Sequence, residues 1–202
     1  QQLAFINRMI RELKGERVFV MCTSNLLYSV AKRGLEEGLT CDFAPGSVFM
    51  GGGGAKGVPL PDDLEEVVCG FFNTDRMISS YGMTEMNSFS VQCEHDRYHM
   101  LPFVTPFLLD LETGQPLPRK GKQTGRASFF DMTAESCWGG LVTGDVITID
   151  WDHQCECGRT SWAIEKQINR VSEIQGGEDK ISCAATPQAQ ADAMDFLTGF
   201  GG

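Results

Sequence analysis

A strand, a helix and a second strand succeed one another early in the sequence, and this succession constrains the fold more than any other feature. The apolar, β-branched run RVFVMC (17–22) predicts the first strand. Residues 23–25 can cap a helix over 26–38, and a second apolar strand lies near 47–50. Two strands joined through a helix pair in parallel with a right-handed crossover. The sequence therefore predicts an α/β fold built on a parallel sheet.

The patterns on either side of this βαβ unit divide the chain into two parts. Apolar residues at helical spacing predict a helix over 3–14, and Pro61 opens another helix over 59–72, with Asp62 and Asp63 in its first turn. Further strands are predicted at 76–81, 98–110, 125–131 and 141–151. We expect a parallel-sheet βαβ half followed by a β-rich subdomain, with boundaries at 1–90, 91–181 and a C-terminal tail over 182–202.

Charge and hydropathy exclude several classes of partner. The 202-residue chain has a formal net charge of -10, whereas nucleic acids and anionic membranes select clustered Lys and Arg. No apolar stretch is long enough to span a bilayer, and residues 1–20 lack the pattern of a signal peptide. We therefore expect a cytoplasmic protein that binds neither nucleic acid nor membranes. In that compartment the eight Cys are core residues, metal ligands or reactive thiols rather than a disulfide framework.

Two glycine-containing motifs are ambiguous when each is considered alone. The run GGGG (51–54) lets a planar or anionic ligand approach the backbone, but it is equally typical of a tight strand-to-helix turn. Asp145 in TGD (143–145) lies between two apolar runs, where a carboxylate can accept hydrogen bonds from a vicinal diol. An isolated TGD is, however, more often an ordinary Asp in a Gly turn.

The motif SSYGMTE (79–85) carries more information. Gly82 allows a sharp turn at the carboxyl end of a predicted strand, which is where open α/β sheets bind their ligands. After it, Thr84 offers a hydroxyl group and Glu85 a hard carboxylate to a phosphate and its Mg²⁺.

The order of these motifs resembles that of the adenylate-forming acyl synthetases, the AMP-binding enzymes. A Gly-rich turn, YGMTE, a G-x-x-x-F-F-D segment and TGD follow one another along the chain. CECGRT (155–160) and GGGGAK (51–56) are similar to motifs of the phenylacetate–CoA ligase and acyl-protein synthetase branch. The resemblance extends from about residue 17 to about residue 181.

The resemblance implies an ATP-dependent ligase. Its substrate, a carboxylic acid, would attack the α-phosphorus of ATP to give an acyl-adenylate and pyrophosphate, and a thiol or hydroxyl of coenzyme A or a protein would then accept the acyl group. The resemblance places Gly52 and Gly53 beside adenine, with Tyr81 packing on it. Gly82, which follows Tyr81 at the turn, also belongs to the nucleotide site, and Asp145 would bind the ribose.

Two residues would act at the phosphates. The resemblance places Thr84 at the α-phosphate and makes Glu85 the ligand of Mg²⁺, so these two are the candidate catalytic residues. The family's phosphate loop has no counterpart, and Gln1 opens directly on a helix, so we expect an amino-terminal portion to be missing. The family hinge matches only GGEDK (176–180), with Gly177 in the Arg position, and Lys180 is expected to be a surface lysine. We expect the chain alone to be inactive.

Two cysteine-containing segments predict a metal site. Cys93-x-His95-x-x-x-His99 and Cys155-x-Cys157 have the character of half-sites for a tetrahedral Zn²⁺. We choose Cys93, His99, Cys155 and Cys157 as ligands, because the separation of the first pair lets the chain turn back, and His95 is the alternate. Buried thiols with surface histidines are the alternative. The remaining cysteines are expected in the core: Cys22, Cys41, Cys69, Cys137 and Cys183.

A second hypothesis for the function remains open from the sequence. The chain could be a non-catalytic, zinc-stabilised binding module that retains the ligase fold, because the phosphate loop and the mobile lid of the family have no counterpart here.

Overall fold

The computed structural model describes residues 2–52, 60–135 and 139–174, and its first part alternates helices and strands. The elements are α1 (Gln2–Glu12), β1 (Phe19–Thr23), α2 (Ser24–Glu36), β2 (Val48–Gly52), α3 (Leu64–Phe72), β3 (Ile78–Gly82) and β4 (Phe89–Val91). The four strands form one sheet in the order β1-β2-β3-β4. The first three strands are parallel and β4 is antiparallel to β3, which confirms the predicted parallel sheet.

The two crossover helices begin differently. The hydroxyl oxygen of Thr23 accepts a hydrogen bond from the Leu26 amide, so α2 has the predicted N-cap. The prediction that α3 starts near Pro61 is wrong, because the helix begins at Leu64. The Asp63 carboxylate accepts a hydrogen bond from the Tyr28 hydroxyl and does not cap α3, so the aspartates precede the helix instead of forming its first turn.

All three helices pack on one face of this sheet. Phe49 of β2 and Phe72 of α3 stack at 4.4 Å between ring centroids in the core below the helices. Helix α2 approaches α3 closely at Gly34, where a Cβ atom would lie 2.1 Å from the Phe71 ring. The opposite face of β1 carries Phe19, whose side chain is 63% exposed.

The second part of the chain is the predicted β-rich region, and it forms an antiparallel sheet. Its elements are β5 (Tyr98–His99), β6 (Val104–Leu109), β7 (Lys122–Asp131), β8 (Gly140–Asp150), β9 (Ala163–Ile164), β10 (Asn169–Arg170) and the short helix α4 (Val171–Ile174). The strand order is β5-β9-β8-β7-β6, and β10 pairs with β8. Residues 98–110 were expected as one segment but form two separate strands, β5 and β6.

The TGD motif lies within a strand and does not form a turn, and the single strand predicted over 141–151 is confirmed. Residues 140–150 are one continuous strand, β8. Its pairing with β7 jumps from Val146 opposite Arg126 to Val142 opposite Ser128, so residues 143–145 bulge opposite Ala127. Bulges bend a strand and redirect side chains, and three successive residues from Asp145 onward are buried as a result.

The two sheets meet through the hairpin that connects β4 to β5. Strand β4 belongs to the parallel sheet, whereas β5 belongs to the antiparallel sheet. Tyr81 of β3 reaches into the second core, where its ring lies 6.2 Å from that of Tyr98 and 6.0 Å from that of Phe129. Within the described ranges, no helix has the length and apolar character needed to cross a membrane.

Candidate functional site

The carboxyl ends of the parallel strands bring the Gly-rich run next to the YGMTE motif. Gly51 of β2 pairs with Ser79 of β3, which places Gly52 beside Ser80. A Cβ atom on Gly51 would lie 2.6 Å from the Ser24 hydroxyl oxygen, so a side chain there would have to displace that of Ser24. Gly53 lies outside the described residues. The carboxyl end of β2, at Gly52, therefore lies beside the carboxyl end of β3, where the YGMTE turn begins.

Strands β3 and β4 approach each other so closely at position 82 that only glycine fits there. A Cβ atom at this position would lie 2.7 Å from the Cβ of Phe89, which is opposite it on β4. Beyond Gly82 the chain turns outward, and both Thr84 and Glu85 are exposed. The Thr84 hydroxyl donates to the Glu85 carboxylate at 3.2 Å. A hydroxyl and a hard carboxylate thus project together from the turn.

Asp131 at the end of β7 anchors this turn. Its carboxylate accepts hydrogen bonds from the Asn87 amide at 3.0 Å and from the amide and hydroxyl of Thr133 at 2.9 and 2.6 Å. The Asn87 side chain donates in turn to the Thr133 carbonyl at 2.8 Å. Burial by itself would raise the pKa of Asp131, but the hydrogen bonds from Thr133 and Asn87 outweigh it and hold the pKa below its ordinary value.

Asp145, on the bulge of β8, is buried and lies between the polar side chains of Tyr81 and Arg170. One carboxylate oxygen accepts a 2.8 Å hydrogen bond from the Tyr81 hydroxyl, and the other lies 2.8 Å from the Arg170 guanidinium. Arg170 stands directly opposite Asp145 in the β10–β8 pairing. Burial, and then the neighbouring Asp145 charge, raise the pKa of Tyr81, so the phenol stays protonated and donates.

The bulge itself is held by hydrogen bonds around Thr143. The Thr143 hydroxyl donates to the Ala127 carbonyl at 2.9 Å and accepts from the Asp145 amide at 3.0 Å. The Arg126 side chain donates to the Thr143 carbonyl at 2.5 Å. These contacts orient the Asp145 carboxylate toward β3. The hydrogen bond from Tyr81 then links the TGD motif to the YGMTE motif.

A second group of polar side chains lies at the hairpin between the sheets. The four predicted zinc ligands, Cys93, His99, Cys155 and Cys157, have ligand atoms that all lie within 4.8 Å of one another. We call these four residues the Cys₃His cluster. His95 is exposed and outside it.

The imidazole of His99 is oriented by the chain around it. Its Nε2 atom lies 3.2 Å from the Cys157 sulfur, and its Nδ1 atom lies 3.3 Å from the Ser161 carbonyl oxygen. Burial lowers the pKa of His99, which favours the neutral ring that metals bind. A carbonyl partner on Nδ1 leaves the lone pair of Nε2 directed into the cluster.

Solved structures of ligases share this architecture. Apo MatB from Rhodopseudomonas palustris matches 86% of this chain and 34% of its own length, with 19% identity and a TM-score of 0.53. An open conformation of 2-hydroxyisobutyryl-CoA ligase with 2-HIB-AMP and CoA matches over 84% and 36%, with 16% identity and a TM-score of 0.64. The long-chain-fatty-acid-CoA ligase FadD1 from Archaeoglobus fulgidus matches over 87% and 38%, with 14% identity and a TM-score of 0.59.

The chain has part of the adenylate-forming ligase fold. It spans about a third of the length of these ligases. No family model matches the sequence, and neither does any curated protein.

The YGMTE and TGD residues predicted from the sequence lie on, or directly after, two strands that contact each other, β3 and β8. Thr84 and Glu85 lie on the turn after β3, and Asp145 is joined to the same strand through Tyr81. The Tyr81 ring is 7% exposed, so the expected contact with adenine stays a prediction and would need the ring to be more open than it is here. Lys180 and the GGEDK segment lie outside the described residues.

Two residues of the site were missed by sequence reasoning. Asp131 was noted only as the last letter of the G-x-x-x-F-F-D segment, and Arg170 was not singled out at all. The motif itself was the available signal for Asp131. Nothing in the sequence marks Arg170, because its role depends on the pairing of β10 with β8.

Proposed function

We propose that this chain is the nucleotide-binding part of a longer ATP-dependent ligase, which activates a carboxylic acid as an acyl-adenylate. The observation that carries the proposal is the link between the YGMTE and TGD motifs: the Tyr81 hydroxyl donates to Asp145 at the carboxyl edge of the parallel sheet. The ligase fold of the chain supports the same reaction.

Asp145 is proposed to bind the ribose hydroxyls. Its two carboxylate oxygens already accept from Tyr81 and Arg170, but a carboxylate has about four lone-pair sites. A ribose diol can therefore be added without removing either partner, and the resulting hydrogen bonds are charge-assisted. Tyr81 and Arg170 would hold the carboxylate in the required orientation.

Thr84 and Glu85 are proposed to act at the phosphates. Both lie on the turn that Asp131 holds in place, and the Glu85 carboxylate is the kind of hard oxygen ligand that Mg²⁺ prefers. Bound there, Mg²⁺ would neutralise phosphate charge. In this proposal the Thr84 hydroxyl would donate to an α-phosphate oxygen, where negative charge develops during displacement of pyrophosphate.

The acceptor is proposed to be coenzyme A or an acyl-carrying protein side chain, as in the phenylacetate–CoA ligase and acyl-protein synthetase branch. The CECGRT and GGGGAK motifs support that branch. Among the similar structures, 2-hydroxyisobutyryl-CoA ligase was solved with 2-HIB-AMP and CoA, which is consistent with a thiol acceptor.

Pyrophosphate release by the longer protein tests the proposal. A panel of carboxylic acids is supplied with ATP and Mg²⁺, and the adenylate is trapped with hydroxylamine as the hydroxamate. We expect acid-dependent pyrophosphate release that Glu85→Gln reduces strongly. AMP binding without any hydroxamate, across the whole panel, would instead favour a non-catalytic module. We expect the 202-residue chain by itself to bind AMP weakly and to form no adenylate.

A further inference from the structure

The Cys₃His cluster is drawn from three separate segments of the chain. Cys93 follows β4, His99 is the last residue of β5, and Cys155 and Cys157 lie in the turn after β8. Cys93, His99 and Cys155 are buried, with exposed fractions of 2, 5 and 4%. Three segments thus bring three thiols and one imidazole together in one small, largely buried volume.

Two of the separations between donor atoms are close to those of tetrahedral zinc. Zn–S bonds of about 2.3 Å and Zn–N bonds of about 2.0 Å, at tetrahedral angles, separate two sulfurs by about 3.8 Å and a sulfur from a nitrogen by about 3.5 Å. The Cys93 and Cys155 sulfurs lie 3.8 Å apart, and the Cys157 sulfur lies 3.2 Å from Nε2 of His99. These two separations lie within a few tenths of an ångström of the tetrahedral values, and all four ligand atoms lie within 4.8 Å of one another.

The backbone around the cluster has the character of two metal-binding knuckles. The Cys93 amide donates to the Arg97 carbonyl at 2.9 Å, and the Asp96 amide returns to the Cys93 carbonyl at 3.1 Å. In the second turn the Gly158 amide donates to the Cys155 carbonyl at 3.0 Å. Gly158 has a φ of 81°, a conformation that glycine adopts without strain. Each turn presents its cysteine sulfur toward the other.

We propose that the Cys₃His cluster is a structural Zn²⁺ site that fastens the parallel sheet to the antiparallel sheet. Zn²⁺ would displace the thiol protons, which leave to solvent, and four protein ligands would leave no position open for catalysis. The hairpin that carries Cys93 and His99 continues directly from β4, which pairs with β3. Cys155 follows closely after β8, which carries Asp145.

The position of the cluster gives the metal a defined mechanical role. Through β4 it is tied to the strand that leads into Thr84 and Glu85, and through the turn after β8 it is tied to the strand that carries Asp145. Zinc would therefore hold the two halves of the proposed nucleotide site in register. Only this last consequence depends on the proposed function, and metal binding itself does not.

Metal analysis of the purified 202-residue chain, prepared without chelator, tests the site. We expect about one zinc per chain, and on cobalt substitution we expect the d–d absorption of a tetrahedral thiolate site. His99→Ala and Cys157→Ser should lose most of the metal, whereas His95→Ala, an exposed histidine on the same hairpin, should keep it. Equal metal loss in the His95 and His99 variants would overturn the assignment.

Chelation supplies a readout that is independent of the variants. Because the metal links three segments, removing it should lower Tm by at least about 5 °C. It should also speed amide exchange at Cys93 and Gly158 while leaving helix α2 unchanged. A chain that stays metal-free when zinc is supplied, or a Cys93–Cys155 disulfide found by mass spectrometry of protein kept under reducing conditions, would refute the proposal.

Discussion

Replacing Asp131 with Asn should destabilise the chain far more than its near-isosteric shape suggests. The carboxylate is 4% exposed and accepts from the Asn87 amide, the Thr133 amide and the Thr133 hydroxyl. An amide at this position has one oxygen to accept with. Its NH₂ group would face one of the existing donors, so two donors would meet without an acceptor between them.

The magnitude follows from the contacts that are lost. A hydrogen bond to a charged group contributes about 1.5 to 3 kcal/mol, and an unsatisfied buried donor costs about 1 to 3 kcal/mol more. Allowing for relaxation of the exposed turn, we expect Asp131→Asn to lower the free energy of unfolding by about 2 to 4 kcal/mol at neutral pH. In the longer protein, the same variant should reduce adenylate formation, because the turn that carries Glu85 loses its anchor.

Urea unfolding of the Asp131→Asn chain measures this loss, with Asp152→Asn as the matched control. Asp152 accepts an amide hydrogen bond from Gly121 at 2.8 Å, but it does so at an exposed site. Its replacement should therefore lower the free energy of unfolding by less than about 1 kcal/mol.

The pH dependence of the difference provides a second check. The pKa of Asp131 is lower in the folded chain than in the unfolded chain, so its stabilising contribution is complete above the unfolded pKa of about 3.9. It is lost as the pH falls through the folded pKa. The gap between wild type and Asp131→Asn should accordingly be constant from pH 7 to 5 and shrink below about pH 4. Equal losses for the two variants, or a gap that does not change with pH, would refute the reasoning.

Three further predictions concern the nucleotide site and the strand that leads to it. Asp145→Ala should weaken AMP binding about tenfold to a hundredfold in calorimetry, because it removes charge-assisted hydrogen bonds to the ribose. Glu85→Gln should lower the turnover of the longer protein with a smaller effect on nucleotide affinity, and equal effects of these two changes on both quantities would contradict the assigned roles. Gly82→Ala should lower Tm, because its Cβ would lie 2.7 Å from that of Phe89, whereas Gly70→Ala in α3, with its nearest neighbour 4.0 Å away, should leave Tm unchanged or raise it.

Much of the first half of the fold could be predicted from the sequence because its signals are local. The helical pattern of α2 differs from the apolar runs of β1 and β2, and each can be recognised within about ten residues, which is why the βαβ unit was predicted correctly. Helix α3 was located, but its start was not, because the carboxylate of Asp63 binds Tyr28, 35 positions earlier in the chain. A helix start depends on such a contact as well as on residue type.

The sequence by itself determined which chemical groups are available: the YGMTE turn, the TGD carboxylate, and the thiols and imidazole that the fold gathers into one cluster. Only the tertiary structure decided how they meet. TGD became a bulge inside β8 because β7 pairs on both sides of it, and Arg170 reached Asp145 because β10 pairs with β8 in that register. Tyr81 and Asp145 are 64 positions apart in sequence. Strand register is set by pairing and burial between segments that are far apart in the sequence, so it cannot be predicted from a local pattern of residues.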